Sequence, residues 1–195
     1  MAAARTEPIC PVCAHDRTTG VVRRIAVPVH QNLLHPTLES ATAARRGDLD
    51  FRTCDRCGFL FNAAFDPALM EYGPQYENSQ QHSPAFVDHL GAMVDQIVKD
   101  HGLTSGTVVE VGCGKGDFLR RLLAHPDNRA HGIGVDPSYL GPPVSEDGRA
   151  RFLPQHFDAS LGIEANVVVC RHVIEHLADP VGMMTTIRAA AVSDH

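Results

Sequence analysis

Thr107-Val-Val-Glu110-Val-Gly112-Cys-Gly114-Lys-Gly116-Asp117 is the stretch that decides how this chain folds. Its first five residues are β-branched except for Glu110, which suits a strand; three glycines on alternate positions follow. From Asp117 onward, Phe118, Leu119, Leu122 and Leu123 recur at helical spacing. A glycine-rich loop that leaves a strand and opens a helix is the setting in which such a loop binds a nucleotide-like ligand rather than merely turning the chain. The spacing is G-x-G-x-G, and a dinucleotide fingerprint would need its third glycine where Asp117 stands, a poor neighbour for a pyrophosphate. No Gly-Lys-Ser/Thr closes the loop, so it is not a P-loop either.

The same alternation continues on both sides. Gly132 to Val135 reads as a second strand, Arg151 to Leu153 as a weak third and Asn166 to Cys170 as a strong fourth, with Asp179-Pro180 starting a closing helix. Upstream, Ser83 and Pro84 precede Val87, Leu90, Val94, Ile97 and Val98 at three- and four-residue intervals, an amphipathic helix ending near His101-Gly102. Strands that alternate with helices predict an α/β fold with a parallel sheet and right-handed crossovers.

S-Adenosylmethionine fits the loop better than a dinucleotide. It has no phosphate, and its amino acid carboxylate can face backbone N–H groups near a helix N-terminus. Its ribose diol needs an acceptor at the tip of the next strand, and Asp136 ends Gly132-Ile-Gly-Val-Asp136, 20 residues after Gly116.

Ahead of this region lie Cys10-Pro-Val-Cys13 and Cys54-Asp-Arg-Cys57, two C-x-x-C knuckles with 40 residues between them. Two residues between thiolates let one tight turn aim both sulfurs at the same ion, and two pairs complete a tetrahedral Cys₄ site with no position left for water. The expectation is a structural Zn²⁺ held by Cys10, Cys13, Cys54 and Cys57 in a small, loop-rich module over residues 1–65 with little core of its own. Residues 66–83, rich in Pro, Gly, Asn, Gln and Ser, read as a connector to residues 84–195. Cys113 and Cys170 read as small apolar fillers.

Composition narrows the partners. Of 195 residues, 44% are hydrophobic and 21% charged, enough apolar material for a core, and 17 Lys and Arg against 23 Asp and Glu give a net charge of −6. That sign disfavours nucleic acid as a partner. No run approaches the roughly 18 apolar residues needed to cross a bilayer, and the N-terminus lacks a secretory apolar core, so the expected location is cytoplasmic with reduced thiols.

From about residue 84 the chain resembles the class I S-adenosylmethionine-dependent methyltransferases. Val108-Val-Glu-Val-Gly-Cys-Gly-Lys-Gly116 looks like their first motif, Gly134-Val-Asp136 like the second, and Val168-Val-Cys-Arg-His-Val-Ile-Glu-His-Leu177 like the fourth. With the Cys₄ module in front, it more narrowly resembles the zinc-containing C-methyltransferases of nucleotide-linked sugars. The resemblance implies a Rossmann-like sheet, here incomplete with about four of the usual seven strands. It implies that Gly112, Gly114 and Gly116 line the methionine part of S-adenosylmethionine, that Asp136 holds the ribose, and that Glu110 orients the amino group directly or through water. Asp158 would meet the adenine amine, His172 would contact the cofactor at the sheet edge, and Tyr76, in the connector, would close over it. C-Methylation needs a base beside a carbonyl, and His172, Glu175 and His176, three and four residues apart, form a titratable cluster suited to acid/base work or to shaping the pocket.

Two other readings stay open at this point. One is a zinc-bearing RNA methyltransferase, which the charge and the isolated doublets Arg23-Arg24, Arg45-Arg46 and Arg120-Arg121 disfavour. The other is a non-catalytic cofactor-binding or interaction module, because the last strands of a class I domain are not in the sequence. A sheet ending there leaves an open edge, so the sequence predicts self-association or a product shortened from a longer gene.

Overall fold

A computed structural model describes residues 8–30, 33–70 and 83–192 of the chain. The chain divides into two compact units, Met1–Tyr76 with Leu177–Gly182, and Glu77–His176 with Met183–His195. Among the described residues no helix is long and apolar enough to cross a membrane.

The first unit is built on an antiparallel sheet. Strand β1 (Thr18–Pro28) pairs with β2 (Arg46–Cys54), a short helix α1 (Leu38–Thr42) lies between them in sequence, and β3 (Leu60–Asn62) pairs with β2. This corrects the expectation of a loop-rich module: eleven and nine residues of this segment are long strands. The hairpin was hidden from a periodicity reading because its register shifts twice, between Gly20 and Val22 and between Arg24 and Val27. A bulge adds one residue and breaks the two-residue alternation on which strand recognition rests. At the second shift Ala26 takes a φ of 53°, held there by its N–H donating to Asp48 Oδ1 at 2.9 Å and by Arg46 Nη1 donating to its carbonyl at 2.8 Å.

The expected lack of a core does appear. Among the described residues of 8–70 only Cys10, Thr18 and Cys54 are buried, so two of the sulfurs sit where a core would be.

The second unit opens with α2 (Pro84–Asp95). Ser83 Oγ accepts from the Phe86 N–H and Pro84 sits at the first turn, where its missing N–H costs nothing. The helix continues as a π-helical turn over Gln96–Asp100, and Leu90, Val94 and Val98 are buried along its inner face. Then come β4 (Thr107–Val111), α3 (Asp117–Leu123), β5 (His131–Val135), β6 (Ala150–Leu153), β7 (Val167–Cys170) and, from Met183 on, α4 (Pro180–Ala190).

The four strands are all parallel and lie in the order β6-β5-β4-β7. The first strand of this unit is therefore internal: the next two extend the sheet to one side and the fourth lies on the other, which is half of a doubly wound Rossmann-like sheet. Its two faces carry separate cores. Val108, Val169 and Phe152 pack with Phe118, Leu119 and Leu122 of α3 and with α2 on one face; Val109, Val111 and Val135 pack with Ala190, Met183 and Ile187 of α4 on the other. Burial on both faces explains why β4 and β7 read as continuous rather than alternating apolar runs.

The junction that closes α3 onto the sheet is polar and fully satisfied. Asn128, wholly buried, donates to the Leu122 carbonyl and accepts from the Ala130 N–H. Arg149 donates to the carbonyls of Leu123, Asn128 and Ala130, so a single guanidinium caps the end of the helix and the loop behind it.

Candidate functional site

The glycine loop leaves β4 at Gly112 and enters α3 at Gly116, with φ values of 71° and 80° that side chains rarely adopt. A Cβ at Gly112 would collide with Val173, and one at Gly116 with the Phe152 ring, so both positions are closed to larger residues by contact as well as by backbone. The loop is tied to the neighbouring strand by the Gly112 N–H, which donates to the Val135 carbonyl at 2.8 Å, and folds back through the Gly116 N–H to the Cys113 carbonyl.

Asp136, at the tip of β5, closes this arrangement. Its Oδ2 accepts from the Gly114 N–H at 2.8 Å, while Oδ1 accepts from the Ser138 N–H and hydroxyl at 2.7 and 2.6 Å. The loop glycine and the acidic residue singled out in the sequence are thus bonded to each other across 22 residues.

Glu110 sits on β4 just below the loop and is only 3% exposed. Its Oε2 accepts from the Leu119 N–H in the first turn of α3 at 3.1 Å, so it anchors the helix to the sheet. Burial pushes its carboxyl up to about 8, against the pull of Arg171 and of the Leu119 N–H.

Arg171 is a residue that the sequence reading passed over. It lies one residue beyond β7, its guanidinium 4.0 Å from the centroid of the Phe118 ring. The available signal was a cation set directly after four apolar strand residues, at the end of the sheet where ligands of open α/β folds bind.

His172 follows with a φ of 53°, a left-handed conformation unusual outside glycine. Its Nδ1 is 3.8 Å from Glu175 Oε1, and both side chains are exposed. Residues Ile174–His176 form a short 3₁₀ turn, which brings positions three apart into line. His176 is half-buried; burial lowers the pKa of its imidazole below the ordinary histidine value, and the nearby Glu175 partly offsets this. The structure therefore gathers these three residues at the carboxyl end of β7.

Asp158 is exposed and caps the 3₁₀ turn Ala159–Leu161, where Ser160 hydrogen bonds hold its carboxyl below the usual carboxylate range. Tyr76 lies outside the described residues.

In the first unit the two cysteine pairs form matching knuckles. The Cys10 N–H donates to the His15 carbonyl and the Ala14 N–H to the Cys10 carbonyl; the Cys54 N–H donates to the Phe59 carbonyl and the Gly58 N–H to the Cys54 carbonyl. Ala14 and Gly58 occupy equivalent positions, both with positive φ. The four sulfurs lie within 4.8 Å of one another, with Cys10 to Cys57 at 3.7 Å and Cys13 to Cys54 at 3.5 Å, and none is in a disulfide. A zinc tetrathiolate with Zn–S bonds of about 2.3 Å has sulfur–sulfur edges of about 3.8 Å, so the cluster is compatible with zinc.

Residues 80–194, more than half of the chain, match the family model described as a methyltransferase domain, and the chain belongs to that family as a class I methyltransferase. Membership implies S-adenosylmethionine as the cofactor. No curated protein matches the chain.

The raised Glu110 gives a stability signature. Folded Glu110 keeps its proton up to about pH 8 and an unfolded one only to about 4.5, so the stability it contributes is complete below about 4.5 and is lost as pH rises toward 8. Glu110→Gln preserves the acceptor for Leu119 and removes the ionisation. Urea denaturation is expected to show the variant more stable than the parent at pH 8.5 by on the order of a few kcal/mol, with the difference vanishing near pH 4.5.

Proposed function

We propose that this chain binds S-adenosylmethionine across the carboxyl ends of β4, β5 and β7 and transfers its methyl group to a carbon of a small molecule, a nucleotide-linked sugar or a compound of that kind. The observation that carries the reading is the Asp136–Gly114 bond, which holds a carboxylate and a glycine backbone at one edge of a Rossmann-like sheet. The narrower acceptor rests on the Cys₄ module in front of the domain and on the titratable group beyond β7.

The bound cofactor supplies an electrophilic methyl group on a sulfonium centre. The chain supplies the rest. Gly112, Gly114 and Gly116 let the backbone approach the methionine part, and Glu110 faces its ammonium. Asp136 takes the ribose: three donors already occupy it, out of roughly four acceptor positions on a carboxylate, so holding both hydroxyls requires the Ser138 hydroxyl to turn away. Asp158 is assigned to the adenine amine.

His176 is the base. Burial favours its neutral form, which is the form that accepts a proton. It takes the proton from the acceptor carbon as the carbon–methyl bond forms and the sulfur keeps the electron pair. Glu175 steadies the imidazolium that results, and His172, opposite Glu175, shapes the pocket edge.

In the first unit a structural zinc bound by Cys10, Cys13, Cys54 and Cys57 takes the place of a hydrophobic core. With three buried residues among those described in 8–70, the antiparallel sheet has little else to hold its two ends together.

Calorimetric titration with S-adenosylhomocysteine is expected to show one site per chain, weakened about 10- to 100-fold by Asp136→Ala; no binding to the intact chain sinks the reading. Metal analysis of protein purified without added metal should find close to one zinc per chain, and chelation or Cys54→Ser should lower the unfolding temperature of the β1–β2 unit. Zinc well below one per chain would rule the assignment out. For methyl transfer, the acid limb of kcat/KM is expected below about pH 6.5, displaced downward by the burial of His176. In His176→Gln that limb disappears along with most of the rate, and an unchanged limb would remove His176 from the base role.

A further inference from the structure

Strand β7 ends and Arg171 follows at once, on the face of the sheet that carries Val169. Val169 is the register partner of Glu110 on β4, so Arg171 and Glu110 lie on the same face of adjacent strands. Phe118 covers one side of the guanidinium. Nε and Nη1 are shut off from solvent and, among the described residues, meet no acceptor. Removing charged donors from water without giving them a partner is costly, and a fold tolerates it where something outside the fold supplies the acceptor.

The place is informative. Strands β4 and β7 are neighbours at the point where the order of the sheet reverses, and the crevice outside the carboxyl ends there is where open α/β sheets take their ligands. Glu110 and Arg171 each feel the other's charge, yet no ion pair joins them. A buried carboxyl and a half-buried cation that form no ion pair, on adjacent strands at the carboxyl end of the sheet, complement a zwitterion bound between them.

We propose that Arg171 binds the carboxylate at the amino acid end of the cofactor, opposite Glu110, which faces the ammonium. The assignment rests on the cofactor reading given above. Either orphaned donor forms, together with Nη2, a two-pronged edge that matches the two oxygens of a carboxylate. The face of Phe118 holds the guanidinium in place through cation–π contact, so its orientation exists before the ligand arrives. A lysine at this position would keep the charge but lose both the second prong and the stacking.

The test compares two ligands on the full chain by calorimetry: S-adenosylhomocysteine and 5′-(3-aminopropylthio)-5′-deoxyadenosine, the same molecule without its carboxylate. The parent protein is expected to bind the second about 10- to 100-fold more weakly. Arg171→Met is expected to bind both alike, at the level the parent shows for the ligand without carboxylate, with an unfolding temperature no lower than the parent's. Arg171→Lys should recover part of the preference. Arg171→Met that keeps the parent's preference overturns the assignment, and so does a parent with no preference, a comparison that stands even where the variant fails to fold. A parent that binds neither ligand overturns the cofactor reading itself and the assignment with it.

Discussion

One hydrogen bond, from the Gly114 N–H to the carboxylate of Asp136, joins the two parts of the chain on which the methyltransferase unit depends. It fixes the glycine loop against the tip of the neighbouring strand, and that position sets where α3 starts. Helix α3 in turn buries Phe118, Leu119 and Leu122 against the sheet and receives Glu110 in its first turn. Phe152 explains why glycines stand around this junction: its ring lies where a Cβ at Gly116 or Gly134 would be, and it stacks on Tyr139 with centroids 4.5 Å apart. Backbone and ring come this close only because side chains are missing between them.

Around that junction the unit keeps ionisable groups where a purely structural core would have none. Glu110 is buried with its carboxyl shifted to about 8, and Arg171 is partly desolvated beside it with two donors unmatched. The far end of the same helix shows what the fold does when polar groups are only structural: Asn128 and Arg149 have their partners in full. The contrast between a satisfied pole and an unsatisfied one supports the proposed cofactor site at the carboxyl ends of β4 and β7.

The first unit follows a different rule. Its sheet exposes Val21, Val22 and Ile25, and among the described residues of 8–70 the buried positions are two cysteines and a threonine. Two knuckles with the same hydrogen-bond pattern bring four sulfurs within 4.8 Å of one another, a grouping compatible with a shared zinc, and the proposed metal would do the organising that apolar packing does in the second unit.

The sequence by itself determined the four parallel strands and the helices α2, α3 and α4, though not that β5, β6 and β7 follow one another without an α-helix between them, and it determined the loop glycines, the acidic tip of β5 and the two cysteine pairs. Each of these is local: periodicity, glycine at forced φ, and short spacings are written in consecutive residues. It did not determine the β1–β2 hairpin, because two bulges break the alternation that would have shown it. It also could not reveal Arg171, whose meaning lies in which strand stands beside it and which ring lies under it. Strand order, burial and the absence of a partner are relations between distant residues, and only the tertiary structure decided them.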